Sequence, residues 1–120
     1  MTKANEIIGM LESGIRAEIL RQKVITNNVA NLETPGYKRL AVKFEELLSK
    51  AMESPGKTGL DEIEAEVYQP NQTPVKSNGN DVSWESEVGE MVKNSLRHKA
   101  YIRILNKKYQ QMQAAMDVKE

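Results

Sequence analysis

The sequence has no cysteine and a single histidine. The first absence excludes disulfide scaffolds, thiolate metal sites and thiol nucleophiles. The second removes multi-histidine zinc sites and leaves little for acid–base chemistry near neutral pH. Aromatic residues are only 5% of the chain, with one Trp and one Phe. There is no excess of charge either: 17 Lys plus Arg balance 17 Asp plus Glu. That balance argues against a module driven by phosphate neutralisation, so no nucleic acid is expected as a partner. No apolar run reaches the roughly 18 residues of a membrane span, and no cleavable signal pattern opens the chain. At 120 residues there is room for one small domain or one long helical hairpin, not two ordinary cores. These exclusions leave a soluble, helix-rich protein for which no enzymatic activity, metal or cofactor is expected.

The helix breakers are concentrated. All four prolines (35, 55, 70 and 74) and four of the seven glycines lie within residues 33–83. That segment is also the acidic one, with nine acids against six bases, whereas residues 84–120 carry seven bases against five acids. The chain therefore divides into an N-terminal helix over 1–32, a middle of turns and extended chain over 33–83, and a C-terminal helix over 84–120. Together they form one domain. The expected fold is mainly α: two long antiparallel terminal helices in coiled-coil packing, joined by a short extended, β-like segment, and folding largely on assembly.

Both terminal stretches show apolar residues at alternating spacings of four and three. The first reads Ala4, Ile8, Leu11, Ile15, then Glu18 and Gln22, then Ile25, Val29 and Leu32. The last reads Trp84, Val88, Met91, Ser95, His98, Ile102, Leu105, Tyr109, Met112 and Met116. Such seams are the signature of coiled-coil helices. At about 1.5 Å per residue the second helix runs roughly 50 Å, too long for a compact globule of this size. Ser83 suits an N-cap, with Glu85, Glu87 and Glu90 in the first turns. Met10, Ala17, Leu20 and Val24 make a second apolar stripe on the first helix, read either as a wide core face or as subunit packing. Two such seams offer too little apolar surface to offset the entropy of ordering so much chain. The hairpin wants neighbours.

The first helix ends in Thr26-Asn27-Asn28-Val29-Ala30-Asn31-Leu32-Glu33-Thr34-Pro35-Gly36-Tyr37-Lys38. Asn residues near a helix end compete for backbone hydrogen bonds, and Thr-Pro-Gly makes a turn with Gly at positive φ. A bare helix-to-turn junction accounts for the composition. The whole string, however, resembles the Asn-Asn-(Ile/Val)-Ala-Asn…Thr-Pro-Gly-Tyr-Lys signature of the flagellar rod, hook and filament-junction family, carried here by Asn27, Asn28, Ala30, Asn31, Thr34, Pro35, Gly36, Tyr37 and Lys38. The run from Ser77 to Glu87 and the stretch Asn94-Ser95-Leu96-Arg97-His98-Lys99-Ala100-Tyr101 resemble segments of its short proximal rod members. The larger members carry a middle domain for which this chain has no room.

The resemblance implies a structural subunit of the proximal rod of the bacterial flagellar basal body, in the periplasm. It would assemble into a helical tube that transmits torque and continues the export channel. Implied partners are other copies of the chain, neighbouring rod proteins, the rod-to-membrane-ring adaptor and, transiently, the flagellar type III export gate, with export that cleaves no signal peptide. Another short proximal rod protein, or a cytoplasmic coiled-coil adaptor binding one partner helix, are the alternatives. An adaptor is expected to fold as a soluble dimer; a rod subunit is expected to order only in its assembly.

Phe44-Glu45-Glu46-Leu47-Leu48 carries two readings. Val42, Phe44, Leu47 and Leu48 suit an amphipathic turn buried on the rod, while Phe44 and Leu48 are similar to the Phe-x-x-x-apolar export signal of secreted rod subunits. Ile63, Ala65 and Val67 alternate with Glu64, Glu66 and Tyr68, the pattern of one short strand. Residues 54–59 (Ser-Pro-Gly-Lys-Thr-Gly) read as a mobile turn without the order of a phosphate loop. Asp61, Glu62, Glu64 and Glu66 lack calcium-loop spacing and read as a solvated face. The bases from Lys93 to Lys108 read as solvated or inter-subunit contacts, since aromatics for base stacking are absent there. Ser95 and His98 interrupt one seam as Glu18 and Gln22 interrupt the other, so the two pairs are expected to meet in a polar layer that fixes register.

Overall fold

A computed structural model describes residues 3–54 and 59–118. The element order is α1 (Lys3–Ala30), β1 (Ala41–Lys43), α2 (Glu45–Glu53), β2 (Glu66–Tyr68) and α3 (Trp84–Val118). The turn expected at 54–59 falls, for residues 55–58, outside the described residues.

The two long helices are antiparallel and keep one register. A Cβ on Gly14 would stand 2.5 Å from the Tyr101 ring. One turn further along α1, Glu18 accepts a hydrogen bond from Arg97 Nε at 3.0 Å; near the end, Asn28 reaches Glu87 at 2.6 Å. A glycine inside a helix costs roughly 1 kcal/mol against alanine; at Gly14 the missing Cβ makes room for the tyrosine ring. Continued at this register, α1 runs out opposite Met112, and the end of α3 projects beyond it. The molecule measures 67 × 28 × 14 Å, with a radius of gyration of 18.1 Å, against about 13–14 Å for a compact chain of this length.

The middle segment lies against α1 and is less extended than expected. β1 and β2 form a two-stranded antiparallel sheet in which Ala41, Val42 and Lys43 face Tyr68, Val67 and Glu66. The alternating run thus supplies β2, and Lys43 Nζ sits 5.3 Å from the centre of the Tyr68 ring. After β1 the chain turns into α2, because Phe44, Leu47, Leu48 and Ala51 fall at helical spacing on one face. Phe44 is 1% exposed and forms a small core with Ala17 and Ile63, flanked by Leu47, Leu48, Ala51, Leu60 and Ala65. This decides the second stripe of α1 at two positions: Ala17 and Val24 are buried within the subunit.

The seam of α1 follows the expected line, with Ile8, Leu11 and Ile25 buried and Ile15 and Val29 half-buried. On α3 it does not. Of its apolar members, Val88, Met91, Ile102, Tyr109 and Met112 are exposed and Leu105 is half-buried. The buried residues are Glu87 and Asn94, with Arg97, His98 and Tyr101 half-buried on the same side. The contact line therefore lies one residue, or about 100° of helix, from the apolar one. The polar groups at 87, 94 and 97 find hydrogen-bond partners on α1, with Arg39 as a further partner of Glu87, whereas the apolar line has no second helix to cover it among the described residues.

Candidate functional site

The motif that spans the end of α1 and the turn after it builds a clasp that ties the start of α3 to the end of α1. Thr34-Pro35-Gly36-Tyr37 is a turn closed by Tyr37 N donating to Thr34 O at 3.3 Å, with Gly36 at φ +75°. A left-handed third position is the reason for glycine there. Gly36 N then donates to Asn78 O at 2.9 Å, and Lys38 Nζ to Gly79 O at 2.6 Å. Gly79, at φ +87°, lies so close that an added Cβ would be 3.3 Å from Gly36 Cα. Asn80 is fully buried and its amide donates to the carbonyls of Asn31 and Thr34, both at 2.8 Å. Asp81 accepts from Arg39 N at 2.6 Å.

Asn28 is the centre of the clasp, with every bonding position of its amide used. Its oxygen accepts from Leu40 N at 2.9 Å and from the Tyr37 hydroxyl at 3.0 Å. Its nitrogen donates to Leu40 O at 2.9 Å and to Glu87 Oε1 at 2.6 Å. Asn27 in turn donates to the Tyr37 hydroxyl at 2.8 Å. Burial pushes the Tyr37 phenol up, and the bond from Asn27 opposes the shift. Asn31 donates back to Asn27 O and accepts from the Thr34 hydroxyl. Arg39 Nε reaches Glu87 at 3.3 Å, so the buried carboxylate has a cation beside it. A buried amide satisfied on all sides specifies one arrangement and penalises every other.

A second polar layer lies three turns along the hairpin. The Glu18 side chain, fully buried, accepts from Arg21 at 2.5 Å, Asn94 at 3.1 Å and Arg97 at 3.0 Å. Arg21 extends the network to Glu45 at 2.5 Å, which holds the Glu45 carboxyl below its ordinary range. Burial alone would lower Arg21, but its bond to Glu45 and the charges of Glu18 and Glu45 outweigh that and raise it. Tyr101 is raised by burial, then by Glu18 and Glu45. Ser95 and His98 line one small cavity with Glu18 and Gln22, so the expected polar layer is present. The hydrogen bonds, however, are made by Asn94 and Arg97.

Comparison with known proteins gives the chain a family. The model of the family described as flagella basal body rod protein matches residues 10–38, from the first third of α1 to the end of the motif. The flagellar basal body rod protein FlgB of Bacillus subtilis is 31% identical over 116 residues, covering 88% of this chain and 89% of that protein. The chain belongs to the FlgB family of flagellar basal-body rod proteins. FlgB of Borreliella burgdorferi is also 31% identical, over 97 residues, covering 66% of this chain and 72% of its own. The rod protein FlgG of Caulobacter vibrioides is 43% identical over 44 residues, which is 17% of that protein.

For this FlgB-family chain the structure brings together most of the motif and leaves part of it outside. Asn27, Asn28, Asn31, Thr34, Gly36, Tyr37 and Lys38 join the clasp, while Ala30 and Pro35 are exposed beside it. Sequence reasoning missed the acids: Glu87 and Asp81 bind Asn28 and Arg39 from inside the clasp. The signal for Glu87 was an acid in the first turn of α3, read only as a dipole charge. Asn94, Arg97 and Gly14 were missed because a pairing between helices leaves no periodicity. No helix among the described residues is long and apolar enough to cross a membrane.

Proposed function

We infer that the chain is a structural subunit of the proximal rod of the bacterial flagellar basal body, stacking helically with copies of itself and with neighbouring rod proteins. The observation that carries this reading is the uncovered apolar line on α3, where Trp84, Val88, Met91, Ile102, Tyr109, Met112 and Met116 are all exposed. Apolar surface in a continuous line marks an interaction site, and open helical stacks require faces that a single copy leaves unsatisfied. The protein acts by position and stiffness, with no catalytic step. The rod-to-membrane-ring adaptor and the export gate complete its partners, and it reaches the periplasm without losing a signal peptide. The test is isolation of basal bodies from cells carrying the chain. The protein is expected in the rod, and a Met112→Ser, Met116→Ser variant is expected to be lost from it. A chain found only as a soluble cytoplasmic dimer would overturn the reading in favour of the adaptor.

Phe44 and Leu48 serve in this reading both before and after export. Phe44 is 1% exposed, so the gate meets it only while the chain is unfolded; afterwards the same side chain closes the small core. A Leu48→Ala substitution, at a half-buried position, separates the two roles. Reduced secretion of a variant that still folds supports the signal, and unchanged secretion counts against it.

A further inference from the structure

A cleft opens where α1, β1, the chain at 70–72 and α3 meet, lined by Arg21, Arg39, Lys93 and Arg97 over a floor that includes Val24 and Leu40. Glu18, Glu45, Glu87 and Glu90 balance these four cations, so the cleft offers donors rather than net charge. Glu87 and Glu18 engage Arg39 and Arg97 through Nε. The terminal nitrogens of both guanidinium groups make no hydrogen bond among the described residues. A planar fork held at its base with its tip unused suits a carboxylate.

The same chain carries an opposite face. Further toward the start of α1, a second cleft is lined by Glu6, Glu12 and Asp61 with Ile8, Gly9 and Leu60. None of these three carboxylates makes an ion pair among the described residues. Arg16, the base beside them, is engaged by Ser13 and the Asp61 carbonyl. From Gly9 to Arg21 along α1 is about 18 Å at 1.5 Å per residue, so the two faces cannot satisfy one another within a subunit.

We propose that the acidic face at Glu6, Glu12 and Asp61 of one copy docks in the arginine-lined cleft at Arg39, Lys93 and Arg97 of the next. The contact is head-to-tail, repeats along the α1 axis and leaves one donor and one acceptor face open at the ends of any stack. It rests on the rod-subunit reading above and specifies one interface within it.

The chain has no cysteine, so introduced thiols report without background. Lys93 is 65% exposed at its side chain and Glu12 is exposed, so neither Lys93→Cys nor Glu12→Cys disturbs the core; Glu6→Cys is a second probe of the acidic face. Cells co-expressing Lys93→Cys and Glu12→Cys copies are treated with a thiol-to-thiol bis-maleimide, and their basal bodies are isolated. A linked dimer of this chain is expected from co-expressing cells, absent from cells with either variant alone, and diminished when isolated basal bodies are placed in high salt before the reagent is added. The proposal is overturned by a dimer in either single-variant strain, by linkage to another protein only, or by no link from either acidic-face probe while both variants are recovered in the basal body. Absence of the unsubstituted chain from basal bodies would instead overturn the rod-subunit reading.

Discussion

The two ends of this molecule are built differently. At the clasp, where α1 hands over to the motif and α3 begins, Asn28, Asn80, Asp81 and Glu87 are at most 1% exposed and joined by hydrogen bonds to three other stretches of chain. At the opposite end α3 passes the start of α1, and every residue from Tyr109 to Val118 is exposed. One end is closed by polar groups that admit a single geometry. The other is an uncovered helix, and a lone helix of that length is marginal in water. The subunit thus carries its own shape at the clasp and leaves the other end uncovered.

Hydrogen exchange on the isolated chain sharpens this contrast most. Amides of α3 beyond Leu105 are expected to exchange orders of magnitude faster than those near Glu87 and Asn94, and equal protection would erase the difference. Glu18→Ala comes next. It strands Arg97 and Asn94 and is expected to cost about 3–5 kcal/mol, read as a lower thermal midpoint of the clasp half by circular dichroism. Gly14→Ala forces a Cβ into the Tyr101 ring and is expected to cost about 1–3 kcal/mol, largely recovered when Tyr101→Ala is added. Met116→Ser lies on the open end and is expected to change stability by less than about 0.5 kcal/mol while lowering incorporation into the rod.

The smallest effect is that of pH. Arg21 holds Glu45 below its ordinary range, so the folded value lies under the unfolded one. The stabilisation is present above the unfolded value and is lost as pH falls through the folded one. The side chain is 58% exposed, so solvent screens most of it. Glu45→Gln is expected to flatten slightly the loss of thermal midpoint on acidification below about pH 4.5.

Much of this could be read before any coordinates. The bounds of the long helices came from where proline and glycine cluster, and the turn at Thr34–Tyr37 came from residue types that suit few other conformations. Helix α2 was harder to read, because Phe44, Leu47 and Leu48 suit a single amphipathic turn as well as a nine-residue helix until Ala51 is seen to join them. The α3 seam was placed one residue away for a different reason. Periodicity reports which face is apolar, not which face a partner occupies, and here an apolar line and a polar line run side by side.

What the amino-acid order alone determined is therefore local: two helices, the turn that ends the first, and an apolar surplus on the second. Tertiary structure decided which line of α3 meets α1 and which acids are buried. A buried carboxylate or amide must find its partners, and those partners, Asn28 with Glu87 and Glu18 with Arg97, lie 59 and 79 residues apart. Apolar side chains tolerate many neighbours, so the line they form could stay uncovered within the subunit. Hydrogen-bond geometry tolerates few, and it set the register.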